Sequence, residues 1–148
     1  MNAIDTNLLV YMIDETDHAK HVSAIEFLNQ LSTVETVLPW QTCVEFLAWL
    51  RRAEQHGRMT PDRVEADFNA VRHRFAISIP SENVLDIAID LKRRHSLSHW
   101  DSLLLAACIE AGVDTLYSED MGDGVVYDSV TVINPLKSPA PIKPSAAN

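Results

Sequence analysis

Four acidic residues in this sequence stand at the ends of predicted secondary-structure elements, where they could carry chemistry. Asp5 and Asp120 each follow a short apolar strand. Asp101 opens an apolar helix, and Glu45 lies in the first turns of another. Carboxylates that share a pocket raise one another's pKa, so several of them stay ionised only beside a cation. Oxygen ligands suit Mg²⁺ or Mn²⁺, and the four acids together indicate a divalent metal site if the elements converge.

Each acid also has a local structural explanation, which stays open when that acid is considered alone. Asp5 is a good N-cap for a helix that begins at Thr6. Glu45 would interact favourably with the positive end of its helix dipole. Asp101 stands three residues after Ser98, in the spacing of a capping box. Four such acids at ends that could converge are harder to explain by capping alone.

The elements that must position these acids alternate between short apolar strands and helices with an apolar face. Strands are predicted at 2–5, 36–38, 76–79, 115–117 and 130–133, with helices between the first four. This alternation is typical of an α/β fold whose mainly parallel sheet, here of four to five strands, is covered by helices on both faces, a three-layer α/β/α sandwich. In such folds, ligands bind beside the carboxyl ends of the strands, where Asp5 and Asp120 are expected.

The net charge of −9 at first argues against a nucleic-acid partner, because phosphate binding rests on Lys and Arg. However, nine of the twelve basic residues lie between residues 51 and 94, so the acids dominate the rest of the chain. A carboxylate cluster that holds a cation would itself produce an acidic protein. The charge therefore remains compatible with a metal-dependent enzyme that acts on a phosphate-containing substrate.

Several function classes are disfavoured by what the 148 residues contain. With four glycines there is no Gly-rich phosphate loop, which weakens dinucleotide-binding and P-loop hypotheses. Cys43 and Cys108 have no metal or redox spacing and are expected to be buried thiols. No secretory signal or membrane span is present, so a cytoplasmic protein without a membrane partner is expected. Residues 1–136 are predicted as one domain, and the Pro-rich residues 137–148 as a flexible tail.

Five short segments of the sequence occur in an order and at a spacing that are specific when taken together. They are Asp5-Thr6-Asn7, Trp40-Gln41-Thr42-Cys43-Val44-Glu45-Phe46, Trp100-Asp101-Ser102-Leu103-Leu104, Ser118-Glu119-Asp120-Met121 and Ile133-Asn134-Pro135. Over about residues 1–136 this pattern resembles the PIN-domain ribonucleases, and specifically the VapC-type toxins of type II toxin–antitoxin systems. The resemblance implies a PIN-like form of the α/β/α sandwich.

The resemblance also implies an activity, that of an Mg²⁺- or Mn²⁺-dependent endoribonuclease, a hydrolase that uses water to cleave RNA phosphodiester bonds. The implied catalytic acids are Asp5, Glu45, Asp101 and Asp120, with Asp5, Asp101 and Asp120 as metal ligands. Thr6, Asn7 and Ser118 match supporting positions, and Asp123 ranks second to Asp120 as the fourth acid or as an auxiliary one. The implied partners are an RNA substrate, a cognate antitoxin and a second copy in a homodimer. Candidates for contacts with RNA phosphates are Arg51, Arg52, Arg72, Arg74, Arg93 and Arg94.

Two other functions compete with this one. An aspartate-based phosphatase also places an Asp after its first strand, but typically needs a second Asp two residues later, where this chain has Asn7. A PIN-like scaffold that binds RNA or protein without cleavage would not need four acids, and all four are present. Trp40 and Trp49 are expected in the core rather than at an interface.

Overall fold

The computed structural model describes residues 1–137, in which helices and strands alternate as the sequence predicts. The strands are β1 (Asn2–Ile4), β2 (Thr36–Pro39), β3 (Ala76–Ser78), β4 (Thr115–Tyr117), β5 (Val126–Tyr127) and β6 (Val130–Ile133). The helices are α1 (Thr6–Ile13), α2 (His18–Gln30), α3 (Trp40–Gln55), α4 (Pro61–Arg74), α5 (Asn83–His95) and α6 (His99–Glu110). The predicted Pro-rich tail at 137–148 lies outside the described residues, apart from Lys137.

The six strands form one sheet in the order β3-β2-β1-β4-β6-β5. β1 lies between β2 and β4 and is parallel to both, with Asn2 opposite Thr36 on one side and opposite Thr115 on the other. The predicted α/β fold with a mainly parallel sheet is therefore confirmed. Because β1 and β4 run side by side in the same direction, the residues that follow them emerge at the same edge of the sheet.

The sheet has one strand more than the four to five that the sequence indicates. Val126 and Tyr127 pair antiparallel with Val130 and Thr131, so that β5 forms a short hairpin with β6 at the edge of the sheet. A two-residue strand is too short to show the alternation by which strands are recognised in a sequence.

The core is divided by the sheet into two layers, as the three-layer sandwich requires. Neighbouring residues of β1 face opposite layers: Ala3 packs with α5 and α6, whereas Ile4 packs with α1, α3 and α4. Leu105 of α6 and Phe46 of α3 are fully buried in the two layers. Helices therefore cover both faces and leave the carboxyl edge of the strands open.

Two sequence predictions about individual side chains have different outcomes. Both cysteines are buried free thiols, as predicted. Trp49 packs against the core, but Trp40 is 49% exposed, so the prediction that Trp40 lies in the core is wrong. It stands at the first position of α3 with its side chain at the surface. Within residues 1–137, no helix is both long enough and apolar enough to cross a membrane.

The packing of α5 generates a prediction that uses the same substitution at two sites. Leu91 is fully buried, whereas Leu85 on the same helix is 58% exposed. We expect Leu91→Ala to lower the free energy of unfolding by about 2–5 kcal/mol, because it leaves a cavity. Leu85→Ala should cost less than about 1 kcal/mol. Urea unfolding of the two variants measures the difference, and equal losses would contradict the placement of α5 on the sheet.

Candidate active site

The four predicted acids line one cavity of about 340 Å³ beside the ends of β1 and β4. They reach it from four separate parts of the chain: the segments that follow β1 and β4, the second turn of α3 and the first turn of α6. Thr6 and Asn7, at the start of α1, line the same cavity. The fold thus brings together residues that are more than a hundred positions apart in the sequence.

Asp5 is the most buried of these acids, with 8% of its surface exposed. The hydroxyl of Ser118 donates to one carboxylate oxygen at 2.6 Å, and the backbone N–H of Thr6 donates to the other at 2.6 Å. Burial raises the pKa of Asp5 to about 6, and the carboxylates of Asp120 and Glu45 add to this rise. The two hydrogen bonds lower the pKa but do not offset the burial. Asp5 therefore caps α1 and at the same time carries a charge that is costly without a cation.

Ser118 connects the end of β4 to this carboxylate. It is fully buried, and its oxygen accepts hydrogen bonds from the backbone N–H of Asp120 at 3.1 Å and from the Asn7 amide at 3.5 Å. The same Asn7 amide nitrogen donates to the carboxylate of Asp120 at 3.2 Å. One network of hydrogen bonds thus joins Asp5, Asn7 and Asp120.

Glu45 is held by hydrogen bonds at both of its carboxylate oxygens. The hydroxyl of Thr6 donates to one oxygen at 3.0 Å, and the side-chain amide of Gln41 donates to the other at 2.8 Å. The helix that carries Glu45 is itself anchored to β1, because the buried hydroxyl of Thr42 donates to the carbonyl of Ile4 at 3.0 Å. The position of Glu45 is thereby tied to the strand that ends in Asp5.

Asp101 has only part of the predicted capping role. Its backbone N–H donates to the hydroxyl of Ser98 at 3.1 Å, so Ser98 is the N-cap of α6. Among the contacts of residues 1–137, the Asp101 carboxylate accepts no hydrogen bond from Ser98 in return, and the reciprocal half of the capping box is missing. The carboxylate instead lines the cavity.

Asp123 does not line the cavity and has other partners. Its carboxylate accepts from the backbone N–H of Asn134 at 2.9 Å and pairs with the Lys137 ammonium at 3.2 Å. These contacts hold its pKa below the ordinary value, with the hydrogen bond from Asn134 as the larger cause. Of the two candidates for the fourth acid, the structure therefore brings Asp120 to the other three and leaves Asp123 outside.

Three polar or aromatic residues of the cavity wall have no assigned role in the sequence analysis. Tyr11 and Trp100 line the cavity, and Gln41 contacts Glu45. The hydroxyl of Tyr11 is hydrogen bonded to Glu119, whose carboxylate also pairs with the Lys20 ammonium at 2.7 Å. Tyr11 follows Asn7 by four residues and Gln41 precedes Glu45 by four, so helical spacing could have indicated both.

The six arginines proposed for RNA contacts stand outside the cavity, whose wall carries no Lys or Arg among residues 1–137. Arg74 donates to the carbonyl of Leu28 at 2.6 Å, and Arg94 pairs with both Asp90 and Asp128. These two side chains therefore have structural roles. The other arginines of the set, Arg51, Arg52, Arg72 and Arg93, are exposed.

The donor set of the cavity suits a hard divalent cation. Its carboxylates are accompanied by the buried side-chain oxygen of Asn7, which has no hydrogen-bond partner among residues 1–137. Within residues 1–137, however, no three His, Cys, Asp or Glu side chains form a ready-made metal cluster. The arrangement fits an ion that takes some of its ligands from the carboxylates and keeps several waters, as Mg²⁺ does.

The buried Asp5 generates a prediction about pH and stability. Its pKa is raised on folding from 3.8 to about 6, so the folded state loses stability as the pH rises through this range. In chelator at pH 8, we expect Asp5→Asn to be more stable than the wild type by up to roughly 3 kcal/mol, because the amide never ionises. The difference should shrink as the pH falls towards 4. Urea unfolding at both pH values measures it, and a more stable wild type at pH 8 would contradict the buried charge.

Solved structures with a similar fold include the following three. The toxin VapC20 of Mycobacterium tuberculosis, described as cleaving the sarcin–ricin loop, has a TM-score of 0.64 and 17% identity, and the match covers 82% of this chain and 91% of that one. A toxin–antitoxin complex from Klebsiella pneumoniae has a TM-score of 0.66 and 16% identity, with 91% and 98% covered. FitAcB from Neisseria gonorrhoeae has a TM-score of 0.61 and 18% identity, with 91% and 98% covered.

These identities are low, and the likeness to the three structures concerns the fold. A comparison with curated proteins gave no match. The PIN domain family matches residues 3–122, a range that contains all four acids of the cavity and every helix of the structure. The chain therefore belongs to the PIN-domain family.

Proposed function

We propose that this chain is an Mg²⁺- or Mn²⁺-dependent endoribonuclease toxin that hydrolyses RNA phosphodiester bonds and is neutralised by a cognate antitoxin. The observation that carries the proposal is the single cavity lined by Asp5, Glu45, Asp101 and Asp120. Capping accounts for part of the role of Asp5, but within residues 1–137 no cap or ion pair explains why four carboxylates share one cavity. They suit a cation that in turn binds phosphate.

In this proposal, Asp5, Asp101 and Asp120 hold the cation, and Glu45 orients the attacking water. A bound Mg²⁺ or Mn²⁺ would activate that water and stabilise charge on the phosphate. The hydroxyl of Thr6 donates to Glu45 and that of Ser118 donates to Asp5. Because both hydroxyls are used in these hydrogen bonds, we assign them supporting roles and not the role of nucleophile. Their engagement supports water as the nucleophile. Attack by water with cleavage of the P–O3′ bond would leave 5′-phosphate and 3′-hydroxyl ends.

The aspartate-based phosphatase is disfavoured by the surroundings of Asp5. A nucleophilic carboxylate needs an oxygen that can reach a phosphorus atom. Asp5 is 8% exposed, and both of its oxygens accept hydrogen bonds from the protein. This environment supports a fixed ligand rather than a nucleophile.

The proposed protein partners are a cognate antitoxin and a second copy of the chain. An apolar groove of about 700 Å³ adjoins the acidic cavity and shares Gln41, Glu45 and Trp100 with it. Trp40 and Trp100, both on this surface, are 49% and 62% exposed. Exposed aromatic surface of this kind supports a protein contact, and an antitoxin segment in the groove would lie over the acids. The homodimer and the cytoplasmic location rest on the sequence expectations alone.

Cleavage of RNA by the purified protein tests the proposed activity. We expect cleavage with Mn²⁺ or Mg²⁺, none in chelator, and a loss on the order of 100-fold or more in Asp5→Asn and Asp101→Asn, because each removes a proposed ligand. Asp62→Asn, on the exposed start of α4, is the matched control and should cleave normally. Unchanged cleavage in both ligand variants would overturn the site. Tight Mn²⁺ binding without any cleavage would favour the scaffold function.

A second pair of variants decides which residue is the fourth acid. Asp120 lines the cavity, whereas Asp123 is bound to Asn134 and Lys137 outside it. We therefore expect Asp120→Asn to lower the cleavage rate on the order of 100-fold and Asp123→Asn to lower it less than about threefold. Initial rates on a short RNA at saturating Mn²⁺ measure both. The reverse ranking would assign the role to Asp123.

A further inference from the structure

We propose that Gln41 is a positioning residue that sets the separation between the carboxylates of Glu45 and Asp101. The inference rests on the proposed metal-dependent activity and adds a residue to it. Gln41 uses one side-chain nitrogen for two contacts: it donates to the Glu45 carboxylate at 2.8 Å and to the carbonyl of Trp100 at 3.2 Å. Trp100 is the residue directly before Asp101, so a single amide joins the supports of both acids.

The need for such a link follows from the layers of the fold. Glu45 lies on α3, whose core residues pack on one face of the sheet. Asp101 lies on α6, whose core residues pack on the other face. Their separation is therefore set across the edge of the sheet, where the described residues 1–137 form no core cluster that α3 and α6 share. The Gln41 amide spans this edge and connects the two helices directly.

The chemistry of an amide suits this place. Its nitrogen carries two N–H donors and no charge, so it can bond both acceptors without competing as a cation for the acidic cavity. The second oxygen of Glu45 is already occupied by the Thr6 hydroxyl. With Gln41 present, both oxygens of Glu45 are held by hydrogen bonds. Removal of the amide would leave the carboxylate held by the Thr6 hydroxyl alone.

Binding of Mn²⁺ alone tests the inference without reference to RNA cleavage. Gln41→Met keeps the length of the side chain and removes both donors. We expect its Mn²⁺ dissociation constant, measured by calorimetry, to rise about tenfold, as is usual when a residue that orients a ligand is lost. Gln55→Met, at the exposed end of the same helix, is the matched control and should bind Mn²⁺ as the wild type does. Unchanged urea midpoints in both variants would show that folding is intact.

A double-mutant cycle shows whether Gln41 affects metal binding through Asp101. In an Asp101→Asn background, Gln41→Met should weaken Mn²⁺ binding by less than about twofold, because the ligand whose position it sets is gone. On RNA, Gln41→Met should lower kcat about tenfold and leave KM nearly unchanged. A full additive loss in the cycle, or unchanged Mn²⁺ affinity in Gln41→Met, would overturn the inference. If the wild type cleaves no RNA but the cycle behaves as expected, the proposed activity fails and the positioning role stands.

Discussion

The candidate site depends on a buried carboxylate at the end of the central strand. Asp5 leaves β1 at a point where the strands on both sides and the helices on both faces shield it from water. Burial of a carboxylate disfavours its charged form, and here it raises the pKa to about 6. A protein optimised only for stability would place an apolar residue or an amide at this position. The acid at this position is therefore the feature that most supports the proposed metal site.

Parallel strand order explains how partners for Asp5 come from distant parts of the chain. β4 is the neighbour of β1, so the residue after β4 is adjacent to the residue after β1. This adjacency lets the Ser118 hydroxyl reach Asp5 across 113 sequence positions. The crossover helices then bring Glu45 from one face of the sheet and Asp101 from the other. The order and direction of the strands therefore bring the acids to one cavity, and side-chain hydrogen bonds then fix their orientations.

The sequence was sufficient to predict the elements and the acids, because both depend on local patterns. Apolar periodicity placed five of the strands, and the position of each acid at an element end indicated convergence. Predictions of individual hydrogen bonds were less reliable where the bond depends on the length of a side chain. Ser98 caps α6 as predicted, but Asp101 does not return the bond that a capping box requires. Asp is one methylene shorter than the Glu or Gln of that motif, so its carboxylate stays available to the cavity.

Features set by tertiary contacts were beyond the sequence. The exposure of Trp40 depends on where α3 meets the sheet, and an apolar residue type does not reveal it. Gln41 acquires its two acceptors only when α3 and α6 are both in place; its spacing from Glu45 shows just one of them.

The choice of the fourth acid also depended on tertiary structure. Asp120 and Asp123 are three residues apart in one loop, so the sequence alone could not decide which of them lies in the cavity. Between them Met121 and Gly122 have φ angles of 64° and 85°, in the left-handed region that turns the chain sharply. Before the turn, Asp120 faces Asn7 and the cavity. After the turn, Asp123 faces the end of β6 and binds the backbone of Asn134. The left-handed conformation of two residues, Met121 and Gly122, thus separates Asp120, which lies in the candidate site, from Asp123, which stabilises a loop.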